Sequence, residues 1–276
     1  MIVDVDYIDN GETIIISPQY NKPLDSKLLS QSNYKTIFFP EYKLSNKLFD
    51  IWENDNCNDL MFASSDYNQP FGNSLNNCQS LTHIVFGVHS MFNCPLANSL
   101  VFCTALTHIF FGIKFNQPLG NSLFFCTALT HIEFGFEFNC ILDNSLDNCT
   151  SLIHLGLEYC FNQKINLPHN IRSLSLNFNN VSYIDNLPNS IEELELGSLF
   201  NMKLDNLPSS IKKITFSTYS TYDEKLNCLP NGLLILQLPL SYNHQILNIP
   251  RTLTKLICSS DYPFTNDFYT ACVETY

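Results

Sequence analysis

Long apolar runs, positive charge and paired cysteines are what this sequence has least of, and each shortage narrows what the chain can be. No stretch approaches the ~18 consecutive apolar residues that a membrane-spanning helix needs. The start, MIVDVDYIDN, lacks the cationic beginning and apolar core of a secretory leader. The expectation is an intracellular, cytoplasmic chain that makes no use of a membrane. Lys and Arg number 14 against 26 Asp and Glu, a formal charge of −12, and no basic cluster interrupts the acidic balance. Nucleic-acid binding depends on clustered cations that displace counterions from phosphates, so DNA and RNA are not expected partners. The 11 cysteines are odd in number and form no CxxC pair, which points to reduced thiols. No Gly-rich phosphate loop, GxSxG or HExxH occurs, so neither catalysis nor a cofactor is expected.

What the chain does have is repetition. LTHIVF from Leu81, LTHIFF from Leu106, LTHIEF from Leu129 and LIHLGL from Leu152 are near copies, with degenerate copies from Ile171, Ile191, Ile211, Leu233 and Leu253 and, upstream, from Cys57, Tyr34 and Gly11. The steps between these twelve starts run from 19 to 25 residues, the length of a leucine-rich repeat. Apolar residues stand at offsets 0, 3 and 5, and the last two alternate with more polar ones, the period of a strand with one buried face. The spacing predicts a parallel-β solenoid of about twelve coils with little helix. Residues 11–260 form the array, 1–10 an N-terminal cap and 261–276 a C-terminal cap that shield the open ends of the core.

Two kinds of coil divide the array near residue 165. In the earlier kind, NSL precedes a cysteine (Cys78, Cys103, Cys126, Cys149) three residues before the strand pattern; in the later kind proline stands there, in Pro168, Pro188, Pro208, Pro230 and Pro250. Proline removes a donor and fixes φ, so the convex side of the later coils is expected to be extended. The cysteines read as buried thiols at small apolar positions. An aromatic residue followed by Asn recurs in phase, giving Asn116, Asn139, Asn162, Asn201 and Asn243. These read as a structural ladder in which each side-chain amide donates to the backbone of the adjacent coil.

The runs FNQPLGNSL (115–123) and YNQPFGNSL (67–75), each followed by an LTHI-like strand, closely resemble FNIP-type leucine-rich repeats, which are abundant in slime moulds and in giant DNA viruses of amoebae. The resemblance covers most of residues 57–260. It implies a repeat solenoid that binds proteins, host proteins if the origin is viral. Many members also carry an N-terminal F-box that docks to a ubiquitin-ligase scaffold. Here repeat-like sequence already begins near Gly11 and no F-box is read.

Offsets 2 and 4 of each strand are expected to face solvent. Offset 2 is histidine in four consecutive coils, His83, His108, His131 and His154. Such a row could be a solvent-facing ladder, part of a partner surface or a metal site. A straight row offers parallel side chains with only Glu133 as a nearby carboxylate, unlike the convergent ligands that zinc requires, so no metal is expected. Offset 4 is apolar in Ile15, Phe38, Met61, Val85 and Phe110 and acidic in Glu133. An apolar strip beside the histidines, running into an acidic end, resembles the core and rim of a protein interface; a covering loop over part of it is the alternative. The reading is a non-enzymatic, monomeric protein-binding module, with self-assembly into a particle second and ligase adaptor third.

Overall fold

The computed structural model describes residues 7–9, 11–17, 19–24, 29, 34–39, 65–76, 78–164, 166–177 and 187–276. Two compact units divide the chain after Leu152. In unit 1, β1 (Tyr7–Asp9) lies antiparallel on β2 (Thr13–Ile16). Four strands follow in chain order, each parallel to the last: β3 (Thr36–Phe39), β4 (His83–Phe86), β5 (His108–Phe110) and β6 (His131–Glu133). Unit 2 is a run of seven parallel strands: β7 (His154–Leu157), β8 (Ser173–Leu176), β9 (Glu193–Leu196), β10 (Lys213–Phe216), β11 (Ile235–Gln237), β12 (Lys255–Cys258) and β13 (Cys272–Thr275). Both units are leucine-rich-repeat solenoids with almost no helix among the described residues, where Leu29 is helical and Thr265–Asp267 form a 3-10 turn.

The register follows from the repeat. Ile14, Ile37, Ile84, Ile109 and Ile132 occupy one row across unit 1, all buried. Because successive side chains of a strand point to opposite faces, fixing one inward row fixes them all. Behind the strands runs an aromatic column, with Tyr20, Tyr67, Phe92, Phe115 and Phe138 stacked at 6.2, 6.0, 5.9 and 6.1 Å between neighbouring ring centroids. A second column, Phe39, Phe86, Phe111 and Phe134, leans on it, with Phe111 and Phe115 at 3.9 Å and Phe134 and Phe138 at 3.9 Å. In unit 2, Phe200, Tyr222, Tyr242 and Tyr262 repeat the arrangement at 6.1, 6.2 and 6.1 Å. A ring beside its own copy every coil fills the interior without demanding new packing at each step.

The repeat read from Cys57 lies outside the described residues. β3 pairs directly with β4, Ile37 opposite Ile84, so the repeat read from Cys57 puts no strand between them. The aromatic column also passes straight from Tyr20 to Tyr67. Tyr34 and Leu81 are therefore successive coil starts. Where the next coil needs only Gly87, Val88 and His89 to pass from Phe86 to Ser90, the chain from Phe39 to Ser65 carries 40–64. Both ends are held, by the Gly87 amide donating to Phe39 O at 3.2 Å and the Met91 amide donating to Ser65 O at 2.9 Å. The segment read as the C-terminal cap contributes β13, and the one read as the N-terminal cap contributes β1.

The asparagine column works with a polarity opposite to the one expected. Each side chain accepts: Asn68 N–H donates to Asn21 Oδ1 (3.0 Å), Asn93 N–H to Asn68 Oδ1 (2.8 Å), Asn116 N–H to Asn93 Oδ1 (2.8 Å) and Asn139 N–H to Asn116 Oδ1 (2.9 Å). The turn beside the aromatic ring leaves a backbone N–H that no strand receives, and an acceptor one coil earlier supplies its partner. In unit 2 an acidic residue stands in the column, where its backbone supplies a rung while its carboxylate pairs with His244. Asp223 takes the place of Asn in its coil, and its own N–H donates to Asn201 Oδ1 at 3.0 Å. Asn162 holds the corresponding place beside Phe161. Asn243 receives no such bond, for a simple reason: the ring after Tyr242 in the column is Tyr262, and the residue after it is Pro263, which has no N–H to give. Because the Asn116 side chain enters its rung as an acceptor, Asn116→Asp is expected to leave the melting temperature within about a degree or two, whereas Asn116→Leu removes the hydrogen bond to the exposed Asn139 amide, a loss of about 0.5–1.5 kcal/mol. Equal losses in the two variants, compared by thermal unfolding, would show that the amide donor matters.

Cysteine and proline occupy the same turn. The N–H three residues on donates back to Cys78, Cys103, Cys126 and Cys149 in the earlier coils, and to Pro168, Pro188, Pro208, Pro230 and Pro250 in the later ones. Only cysteine can also donate its own N–H, which it does to Leu75, Leu100, Leu123 and Leu146 at 3.0 Å in each case. That extra turn accounts for the longer coils. It forms tight turns at 72–76, 97–102 and 120–125 in place of a helix.

Candidate protein-interaction surface

The histidine row of unit 1 is built from the strand upward. Register pairing puts His83 opposite His108 and His108 opposite His131. Their rings stack almost parallel, at 4.5 Å and 8°, then 4.4 Å and 8°. The preceding threonine fixes each ring: Nδ1 lies 2.8 Å from Thr82 Oγ1, 2.9 Å from Thr107 Oγ1 and 2.9 Å from Thr130 Oγ1. The threonine hydroxyls are themselves anchored on the previous coil, to Lys35 O, Thr82 O and Thr107 O at 2.9, 3.0 and 3.0 Å. Val85, Phe110 and Glu133 stand in register in the next outward row, half-buried. The Phe110 ring lies 6.1 Å from that of His108, inclined by 19°. The result is a flat, half-exposed platform whose side chains are already ordered.

Three expected members of the exposed surface are buried, and a fourth lies outside the described residues. His154 lies in unit 2 and is buried. Ile153 precedes it, so its own strand offers no hydroxyl, and its Nδ1 lies 2.9 Å from Ser173 Oγ on the neighbouring β8. Ile15 and Phe38, read as exposed, are also buried, which is what a covered first part of the strip predicts. Met61 lies outside the described residues. The acidic character expected toward the later coils is partly neutralised within unit 2: Glu192 sits between Lys212 (2.9 Å) and Arg172 (2.8 Å), and Lys213 reaches Glu193 at 3.2 Å. The hydrogen bond from Lys212 holds the Glu192 carboxyl below the usual carboxylate range.

The cysteine column lies inside. Cys78, Cys103, Cys126 and Cys149 are buried free thiols, and each approaches a leucine carbonyl one coil earlier: Cys78 Sγ to Leu29 O at 4.0 Å, Cys103 Sγ to Leu75 O at 3.9 Å, Cys126 Sγ to Leu100 O at 3.7 Å and Cys149 Sγ to Leu123 O at 3.9 Å. Burial pushes the thiols of Cys78 and Cys149 up to about 11 and that of Cys126 to about 12. Such groups stay protonated near neutral pH and are poor nucleophiles and poor metal ligands. Among the described residues, no cluster of three or more His, Cys, Asp or Glu could hold a metal ion, and no helix is long and apolar enough to cross a membrane.

Burial also holds the His83 ring below the ordinary histidine value. Its folded pKa is lower than its unfolded value of about 6.5, so the unfolded chain binds more protons in mild acid. The stability contributed by the neutral ring is present above that value and is lost as pH falls through it. Stacked neighbours at 4.4–4.5 Å add repulsion if two are charged. Lowering the pH from about 7.5 to about 5.5 is expected to depress the melting temperature more in the wild type than in a His83→Gln, His108→Gln, His131→Gln variant. Parallel pH profiles for the two proteins would mean that the row does not titrate against stability.

Comparison with known proteins agrees with this architecture. The family profile described as FNIP Repeat matches residues 161–199 and 178–219. Among solved structures, CroV588 of a giant virus, described as a novel circular leucine-rich-repeat protein, is 28% identical over 94% of this chain, with a TM-score of 0.57. The chain spans 42% of that protein's length. The internalin InlF of Listeria monocytogenes is 14% identical over 75% of this chain and 66% of its own, with a TM-score of 0.41. Among curated proteins nothing matches. The repeat profile and the likeness to CroV588 support a leucine-rich-repeat protein that carries FNIP-type repeats.

Proposed function

We propose that the chain is a non-enzymatic protein-interaction module whose partner docks on the outward face of the unit 1 sheet, over His83, His108, His131, Val85, Phe110 and Glu133. The observation that carries this reading is the ordered ring platform. Three parallel imidazoles and an adjacent phenyl ring are held by threonine hydrogen bonds and by the strand register, yet remain half-exposed. Side chains already fixed lose little conformational entropy when a partner covers them, which is how aromatic positions become centres of binding energy. Leucine-rich-repeat folds generally serve protein recognition, which is the class of role this reading assigns.

The test is affinity capture from amoebal lysate with the wild type and a His108→Glu, Phe110→Glu variant whose fold is checked by circular dichroism. A protein retained by the wild type and lost by the variant, and then bound by the purified wild type alone, supports the reading. Identical capture profiles would move the binding surface away from these strands.

A further inference from the structure

We infer that unit 1 carries a second interaction surface, on its outer turns and away from the sheet face, through which two copies of this chain associate. The surface consists of Val101 and Phe102 on one coil and Phe124 and Phe125 on the next. Phe102, Phe124 and Phe125 are 46%, 48% and 48% exposed, and the last two pack edge to face at 4.9 Å. The turns are neighbours, since Cys126 beside Phe125 directs its thiol to Leu100 O beside Val101 at 3.7 Å. Residues two and one before the buried cysteine are thus Val-Phe and Phe-Phe in these coils. They are Asn76-Asn77 in the coil before and Asp147-Asn148 in the coil after. The apolar array is confined to two coils and bordered by polar ones, which gives it the outline of an interface core.

Charge selects the occupant. From Tyr67 to Ile132 the sequence holds a single charged residue, Lys114, in a chain of net charge −12. A basic partner would be drawn to the acidic coils and would gain nothing from this uncharged belt. A second copy is net acidic on either side of the belt, and the belt is where two such molecules can approach with least repulsion. A two-fold axis through the array would lay Val101, Phe102, Phe124 and Phe125 of one copy on the same residues of the other, neutral against neutral, as an isologous contact requires. Half-exposed, the three phenyl rings offer about 300 Å², more than a third of the ~800 Å² that each partner of a stable interface buries. The asparagine- and serine-rich turns around them supply the rest as a polar rim.

Light scattering during size exclusion, with the purified chain at tens of micromolar, tests this. The expected mass is twice that of one chain for the wild type. It falls to one chain for Phe124→Glu, Phe125→Glu and for the milder Val101→Asn, Phe102→Asn, Phe124→Asn, Phe125→Asn variant, both with unchanged circular dichroism. The His108→Glu, Phe110→Glu variant should stay paired, which separates this surface from the one proposed for the partner. A monomeric wild type overturns the inference, as does a dimer that survives the phenylalanine substitutions or dissolves with the sheet-face variant. A monomer that floats with phosphatidylcholine vesicles overturns it in favour of a lipid surface.

Discussion

Phe115→Ala is expected to lower the free energy of unfolding by about 3–5 kcal/mol, measured by denaturant titration followed by circular dichroism. The ring is fully buried and touches three others: Phe111 at 3.9 Å, Phe92 at 5.9 Å and Phe138 at 6.1 Å. Removing it opens a void between coils whose strands are pinned by register, so the neighbours cannot collapse into the gap. In a solenoid each coil is stabilised by its neighbours, and a void here weakens two interfaces at once. Phe115→Leu, which retains most of the volume, should lose markedly less. A loss below about 1 kcal/mol for the alanine variant would mean that the columns relax freely and that ring stacking is not what holds the coils.

Gly135→Ala is the second large effect, and it comes from the backbone. A Cβ at position 135 would lie 2.2 Å from Gly112 O and 2.8 Å from Ile113 N, and one at position 112 would lie 2.5 Å from Gly87 O. Glycine after the inner phenylalanine lets successive coils close to strand spacing, and a methyl group must push them apart. Overpacking of this kind costs about 1–3 kcal/mol where side chains can yield, and here backbone stands in the way, so the upper end is expected. Gly120→Ala is the contrast. That site has φ +53° with nothing within 4 Å of the added carbon, so only the strain of a left-handed backbone is incurred, about 1 kcal/mol. Thermal unfolding should rank Gly135→Ala well below Gly120→Ala. The reverse order would mean that the coils slide apart cheaply.

Much of this architecture is legible in the sequence because the repeat states the same local instruction many times. Apolar residues at offsets 3 and 5 and a polar one between them specify a strand and its inward face, and twelve parallel strands follow across the two units. The reading departs from the strand order at the repeat read from Cys57, which lies outside the described residues. Cys57, Leu60 and Phe62 sit at the right offsets, yet the register runs from β3 to β4 directly. A signal could have warned of this: the aromatic-Asn pair that belongs to each coil is missing after Tyr34 and appears only at Tyr67-Asn68. The direction of the asparagine bonds was not legible, because an amide offers both donor and acceptor. Burial at Ile15, Phe38 and His154 depends on what lies over or beside a strand, which periodicity within that strand does not report. The uncharged belt is plain in the sequence, but exposed phenylalanines became distinguishable from core ones only once the turns were placed.

The asparagine ladder also bears on how such a chain can change its length. Each rung joins a side chain in one coil to a main-chain donor at the same position in the next, so any whole coil can be copied or excised and the two cut ends still meet. Removing residues 93–115, for instance, would present the Asn116 amide to Asn68 Oδ1, and the strand phase would survive with it. An insertion of half a coil has no such solution, nor does a proline at the rung position, such as Pro263, which has no N–H to give. Growth by unequal exchange is therefore open to this sequence in integral steps, and the near-identity of the LTHI coils is the pattern such growth leaves.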